Sequence, residues 1–182
     1  MCGPQVSELS LPIAAVVFES GQQPDALLLR VAARLDAAGV RLGGVVQHLR
    51  AEPDCACAMS LEELASRRII PISQELGPGS SSCRLDPAAM AEAAALVGQS
   101  IAASPDLFIF NKFGSQELAG AGLRSEMAEV AAAGLPLLTT VRRDHVDAWL
   151  DFTGGEGVLL PPDEAAILAW WAARGATSGS DF

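Results

Sequence analysis

Apolar residues fall along this chain in short unbroken runs, separated by stretches with helical spacing. The first run, Ile13-Ala14-Ala15-Val16-Val17-Phe18, has strand length and no polar alternation, the pattern of a strand buried on both faces. The turn Glu19-Ser20-Gly21-Gln22-Gln23 follows, and Pro24 stands at a favoured first position of a helix. Leu27, Leu28, Val31 and Leu35 share one face of that helix, and Gly39 ends it. Val40 to Gln47 predicts a second strand, so the chain opens with a βαβ unit and a right-handed crossover. Residues 57–63 and 68–74 predict a hairpin or short excursion around Ala65-Ser66-Arg67, and Gly77 to Arg84 is a loop. Asp86-Pro87 caps a predicted helix striped by Met90, Ala94, Val97 and Ile101. Leu107 to Phe110 is the third predicted strand. A loop with Gly114, Gly120 and Gly122 leads to a helix carrying Leu123, Met127 and Val130, which Gly134 closes before a fourth strand at Leu135 to Val141. A short helix around Asp144 to Phe152, an edge strand at Gly157–Leu160 and a helix opened by Pro161-Pro162-Asp163 complete the pattern.

Strands alternating with helices predict a three-layer α/β fold, a mostly parallel sheet of about five strands covered on both faces. The runs at 13–18, 42–47, 107–110 and 135–141 are its expected central strands. The length suits one domain over 1–182, at roughly 100–200 residues per domain. Its expected ordered core is 10–174, with fraying at 1–9 and 175–182.

Composition narrows the function. Half the residues are hydrophobic and 19% are charged, which excludes a disordered chain. No apolar run reaches the roughly 18 residues of a membrane span, and no signal-peptide layout opens the chain, so a cytoplasmic protein is expected. A formal charge of −10 argues against a broad nucleic-acid footprint. It leaves room for a small anion, because local dipoles and one or two cations decide that binding. Cys55-Ala56-Cys57 has one intervening residue and no second pair, so with Cys2 and Cys83 it is a weak metal signal that reads first as reduced thiols, with a soft-metal or redox role as the alternative. His48 and His145 read as ordinary surface or capping histidines. Ser80 to Ser82 have no histidine at predictable reach and Cys83 has no assigned base, so no nucleophile is legible and catalysis is not indicated.

In an open parallel sheet the loops after the strands share one edge, where ligands bind. Those loops present Gly21, Gln22, Gln23 and Asp25 after the first strand, Gln47 with His48 after the second, Asn111, Lys112 and Gly114 after the third, and Arg142 with Arg143 after the fourth. The loop at 77–84 adds Ser80, Ser81, Ser82 and Arg84. Helix amides, hydroxyls, carboxamides and a few cations are the makings of an oxyanion pocket. Lys112 is the only lysine of the chain, and it follows directly on a buried strand. It is read either as an anion-holding cation or as a rim salt bridge to Glu117 or Asp25.

The stretch Glu19-Ser20-Gly21-Gln22-Gln23-Pro24-Asp25-Ala26-Leu27-Leu28 resembles the phosphate-binding turn of the small P-loop nucleoside-triphosphatases. Matched by position, Pro24 stands for the phosphate-binding lysine and Asp25 for the magnesium-binding threonine. Asn111-Lys112, followed by Phe113-Gly114-Ser115-Gln116-Glu117-Leu118, stands for the acidic pair. The resemblance implies a P-loop fold with degenerate nucleotide motifs. It is closer still to an uncharacterised bacterial family of this degenerate type, on Gly21 with Asp25-Ala26-Leu27-Leu28, on Ile72 to Ser80 running to Cys83-Arg84-Leu85-Asp86, and on Asn111-Lys112-Phe113-Gly114. Members of that family are often encoded beside molybdate or tungstate uptake systems. The resemblance therefore implies a non-catalytic oxyanion-binding protein, with molybdate or tungstate as ligand and no required cofactor, in molybdenum or tungsten homeostasis. The alternative is a nucleotide-binding protein or weak nucleoside-triphosphatase with an altered P-loop. A third reading is an interaction module in which Trp149, Trp170 and Trp171 mark a subunit interface, as in a homo-oligomer.

Overall fold

The computed structural model describes residues 11–52, 55–74 and 84–177. Its elements are β1 (Ile13–Phe18), α1 (Asp25–Ala37), β2 (Leu42–Glu52), β3 (Cys55–Glu63), β4 (Arg68–Pro71), β5 (Ser73–Gln74), β6 (Arg84–Leu85), α2 (Pro87–Ala102), β7 (Leu107–Phe110), α3 (Ser115–Leu118), α4 (Arg124–Ala132), β8 (Leu137–Arg142), a 3₁₀ turn (Arg143–His145), α5 (Val146–Thr153), β9 (Val158–Leu160) and α6 (Glu164–Thr177). The main sheet has seven strands in the order β4-β3-β2-β7-β8-β1-β9. From β2 to β9 every neighbouring pair is parallel. The mostly parallel α/β sheet read from the apolar runs is therefore the one observed.

The sheet exceeds the expected five strands because β2 does not stop at Gln47. It runs on to Glu52 and turns back antiparallel into β3, which turns again into β4. On β3, Met59 and Leu61 face the helices of one side while Ser60 and Glu62 alternate to the other, the pattern of an antiparallel strand. Arg67, in the turn of that hairpin, pairs with Asp36 of α1 (2.6 Å) and Glu62 of β3 (3.2 Å).

Each side of the sheet carries its own core. Ala14, Val16, Val46, Ile109 and Leu138 meet Leu28, Val31 and Leu35 of α1 and Ile167 of α6. Ala15, Val45, Phe108, Phe110 and Leu137 meet Ala93 and Val97 of α2, Met127 and Val130 of α4, and Trp149 of α5. Asp86 caps α2 by accepting from Ala88 N (2.9 Å), as its sequence predicts. Trp149 is only 1% exposed and stacks edge-on to Phe113, so it belongs to this core. Trp170 and Trp171 are half-buried against the α1 side. α6 continues as helix to Thr177, past residue 174. Among the described residues no helix is long and apolar enough to cross a membrane.

Candidate functional site

Strand alternation decides which way the residues after β7 point. Phe108 and Phe110 face the α2 side and Leu107 and Ile109 the α1 side, so Asn111 turns toward α1 and Lys112 toward α2. Asn111 is 6% exposed and joins four elements. Its Oδ1 accepts from Gln47 N of β2 (2.9 Å), and its Nδ2 donates to Asp25 Oδ1 at the start of α1 (2.9 Å) and to Gln47 Oε1 (3.4 Å). Its carbonyl accepts from Thr140 Oγ1 of β8 (2.7 Å).

Lys112 is exposed, and among the described residues it has no ion pair and no hydrogen bond. Its stem lies alongside Gly114. Most cations elsewhere are matched: Arg30 and Arg34 to Glu164, Arg41 to Asp106, Arg68 to Glu92, Arg143 to Glu19. Lys112 instead lines a cavity of about 180 Å³. Val45, Met59, Leu61, Ile72, Leu85, Met90, Phe110 and Leu123 make its apolar walls, and Gln47, Asn111, Lys112, Ser115, Gln116 and Glu117 its polar side. Glu117 is 7% exposed and already engaged: its carboxylate accepts from Gly114 N (3.0 Å) and Leu123 N (3.1 Å). Gly122 makes that possible, since at φ +60° a Cβ there would overlap the Glu117 carboxylate.

The other residues singled out from the sequence are distributed around this centre. Gln22 closes the turn after β1 on itself, its N donating to Glu19 O (3.0 Å) and its Oε1 accepting from Glu19 N (2.7 Å). Gln22 and Gln23 border a separate depression with Pro24, Arg30 and Pro162. Gly21 takes φ +88° in that turn. Arg142 grips Asp144 through two nitrogens (2.5 and 2.7 Å); this holds Asp144 below the usual carboxylate range and raises the guanidinium. Arg84 is exposed in β6 and has no ion pair among the described residues, while its neighbour Leu85 lines the cavity. Ser80, Ser81, Ser82, Cys2 and Cys83 lie outside the described residues. The structure thus gathers Gln47, Asn111 and Lys112, attaches Asp25 through Asn111, and keeps Gln22, Gln23 and Arg142 apart from them.

Ser115, Gln116 and Glu117 were not anticipated as lining residues. The spacing Gly114-Ser115-Gln116-Glu117 carried a signal for one of them, because a Glu three residues past a helix cap reaches back to the cap amide. The apolar walls carried none, since they come from β2, β3, β6, α2, β7 and the segments at Ile72 and Leu123, and meet only in the fold. Among the described residues no group of three or more His, Cys, Asp or Glu could hold a metal ion.

Comparison with known proteins adds three findings. The chain is 41% identical over 160 residues to the molybdenum import ATP-binding protein ModC 2 of Bradyrhizobium diazoefficiens, a match covering 87% of this chain. It spans 18% of that relative's length. The solution structure of a human cancer-related nucleoside triphosphatase superposes with a TM-score of 0.61 over 93% of this chain and 98% of that one, at 14% identity. The chain thus shares the α/β fold of that nucleoside triphosphatase. Residues 13–170 match the family described as "Protein of unknown function (DUF2478)", and the chain belongs to that family.

Proposed function

We propose that this chain is a non-catalytic oxyanion-binding protein for molybdate or tungstate, acting in molybdenum or tungsten homeostasis as a carrier, buffer or sensor. The observation that carries this reading is Lys112: an ammonium with no partner among the described residues, held at a cavity in a molecule of formal charge −10. Acidic residues outnumber basic ones, 22 to 12, and a lysine that forms no ion pair among the described residues is available to an external anion. Around it stand neutral donors: the carboxamides of Gln47 and Gln116 and the hydroxyl of Ser115. One ammonium with several neutral donors suits a tetrahedral dianion, which needs charge compensation and many hydrogen bonds together. The name of the Bradyrhizobium relative, a molybdenum import protein, favours molybdate among such ions.

The residues do not fit a magnesium–nucleotide complex. Hydrolysis of a nucleoside triphosphate needs a cation on the β/γ-phosphates and a carboxylate-anchored magnesium. Pro24 offers no cation, and the Asn111 amide directs its N–H donors, not a ligand oxygen, toward Asp25. The second reading, nucleotide binding without turnover, is favoured by the shared fold and by the words "ATP-binding" in the relative's name. Native mass spectrometry and calorimetry with molybdate, tungstate, sulfate, phosphate and ATP decide between them. Lys112→Met is expected to weaken molybdate or tungstate binding by about 1.5–3 kcal/mol, as for a charge-assisted hydrogen bond. Unchanged oxyanion affinity in the folded variant returns the lysine to the solvated surface and ends the proposal.

A further inference from the structure

A bare tetrahedral ion at Lys112 leaves most of the cavity unexplained. Eight of its fourteen lining residues are apolar, and a hydrated dianion gains nothing by entering such walls. The volume, about 180 Å³, is that of a single ring, close to the roughly 150 Å³ apolar cavity known to accept benzene. Phe110, itself buried, closes the inner wall, and Met59 and Met90 are flexible thioethers that mould to a planar guest. Lys112, Ser115 and Gln116 are exposed at the cavity, while Gln47, Asn111 and Glu117 are buried polar groups beside the apolar walls, so the site's one cation stands at its solvent side. Glu117, the one carboxylate among the lining residues, accepts from two backbone amides and forms no ion pair with Lys112.

We infer that this cavity binds an organic anion: an aromatic or heteroaromatic ring seated between Met59, Leu61, Met90 and Phe110, with its anionic group on Lys112. The inference rests on the reading of Lys112 as an anion-holding cation, and it adds the ring to the head group. The Gln47 carboxamide uses its oxygen on Asn111, which leaves its amide N–H₂ as a donor to a ring heteroatom or to the head group. Selectivity then comes from two terms, apolar burial of the ring and charge pairing of the head.

Phenyl phosphate and inorganic phosphate separate the two terms, because they share a head and differ by the ring. In the wild-type chain phenyl phosphate is expected to bind about tenfold more tightly than inorganic phosphate or more, from burial of the ring. Labelled methionine methyls report where it sits. Met59 and Met90 should shift with phenyl phosphate, while Met127, buried in the core away from the cavity, should not. Met90→Trp, at a half-buried helix position, should return phenyl phosphate to the affinity of inorganic phosphate. Lys112→Met should weaken both ions. Equal affinity of the two phosphates in the wild-type chain, or shifts that miss Met59 and Met90, overturns the inference whether or not any variant folds. Phenyl phosphate binding without molybdate binding would instead sink the oxyanion proposal and leave the ring site standing.

Discussion

A single buried amide, Asn111, ties the end of β7 to β2, to β8 and to the start of α1. Its orientation is set by its partners: the oxygen must face the Gln47 backbone N–H, which turns the nitrogen toward Asp25. An aspartate at 111 would place a second carboxylate against Asp25 and lose the donor between them. Asn111→Asp is therefore expected to destabilise the fold by about 1–3 kcal/mol, the usual cost of leaving a buried acceptor unsatisfied. Exchanging the pair, with Asp25→Asn added, restores one donor and one acceptor and should recover most of the loss. Urea unfolding of the two single variants and the double variant gives the coupling directly. Simple additivity would show that the two side chains do not act as a unit. The sequence displayed both residues as candidates for an anion pocket, but not that they bond each other. Their separation of 86 positions is bridged only when β7 lies between β2 and β8.

At the scale of elements, much was legible because burial on both faces leaves uninterrupted apolar runs. β1 and β7 have the boundaries the runs predict. β8 starts at Leu137, not Leu135, because Pro136 has no N–H to give and instead accepts from Phe108 N (2.8 Å). The extension of β2 was hidden, since a strand leaving the parallel core has no continuous apolar signature. Gly44 lies inside the same strand segment, where nothing in the apolar pattern marks it. It has φ +89°, and a Cβ there would overlap the Ile109 carbonyl of β7. Gly44→Ala should cost at least about 3 kcal/mol, from left-handed strain together with a backbone clash. Gly39, at φ +85° with open space around it, is the control: its Ala variant carries the strain alone, about 1–2 kcal/mol. Equal costs by chemical denaturation would remove the claim of close strand contact. The joint between β2 and the α2–β7 loop also has a pH dependence. Hydrogen bonds from the Arg41 side chain and backbone hold Asp106 below the usual carboxylate range. A lowered folded value means that stability is present above the unfolded value, about 4, and is lost as pH falls through the folded one. Asp106 is well exposed, so Asp106→Asn should cost no more than about 1 kcal/mol near neutral pH, with the difference from wild type vanishing in acid. A difference constant with pH would assign the effect to packing.

The molecule as a whole keeps the frame of a nucleoside-triphosphatase and changes what stands at its ligand edge. The sheet order places β1 between β8 and β9, with α1 leaving the end of β1, so the edge that would receive a triphosphate is intact in outline. Its chemistry is not. The turn after β1 is closed by Gln22 on Glu19, Pro24 stands at the position that the resemblance matches to a phosphate-binding lysine, and Asn111, matched to a metal-binding carboxylate, donates to Asp25. A formal charge of −10 further disfavours a polyanion that brings no compensating cation site. Magnesium-dependent ATP turnover is therefore expected to be negligible. Pro24→Lys by itself should not create it, because the added ammonium would still face Asn111 in place of a magnesium carboxylate and would have Asp25 as its nearest charged neighbour along the chain. The check is phosphate release from ATP with magnesium, for the wild-type chain and for Pro24→Lys, on protein whose fold is verified by its unfolding curve. Turnover near ordinary enzyme rates, on the order of 1 per second or more, in either protein would show that the edge still works as a hydrolase and that the Asn111–Asp25 bond gives way to metal.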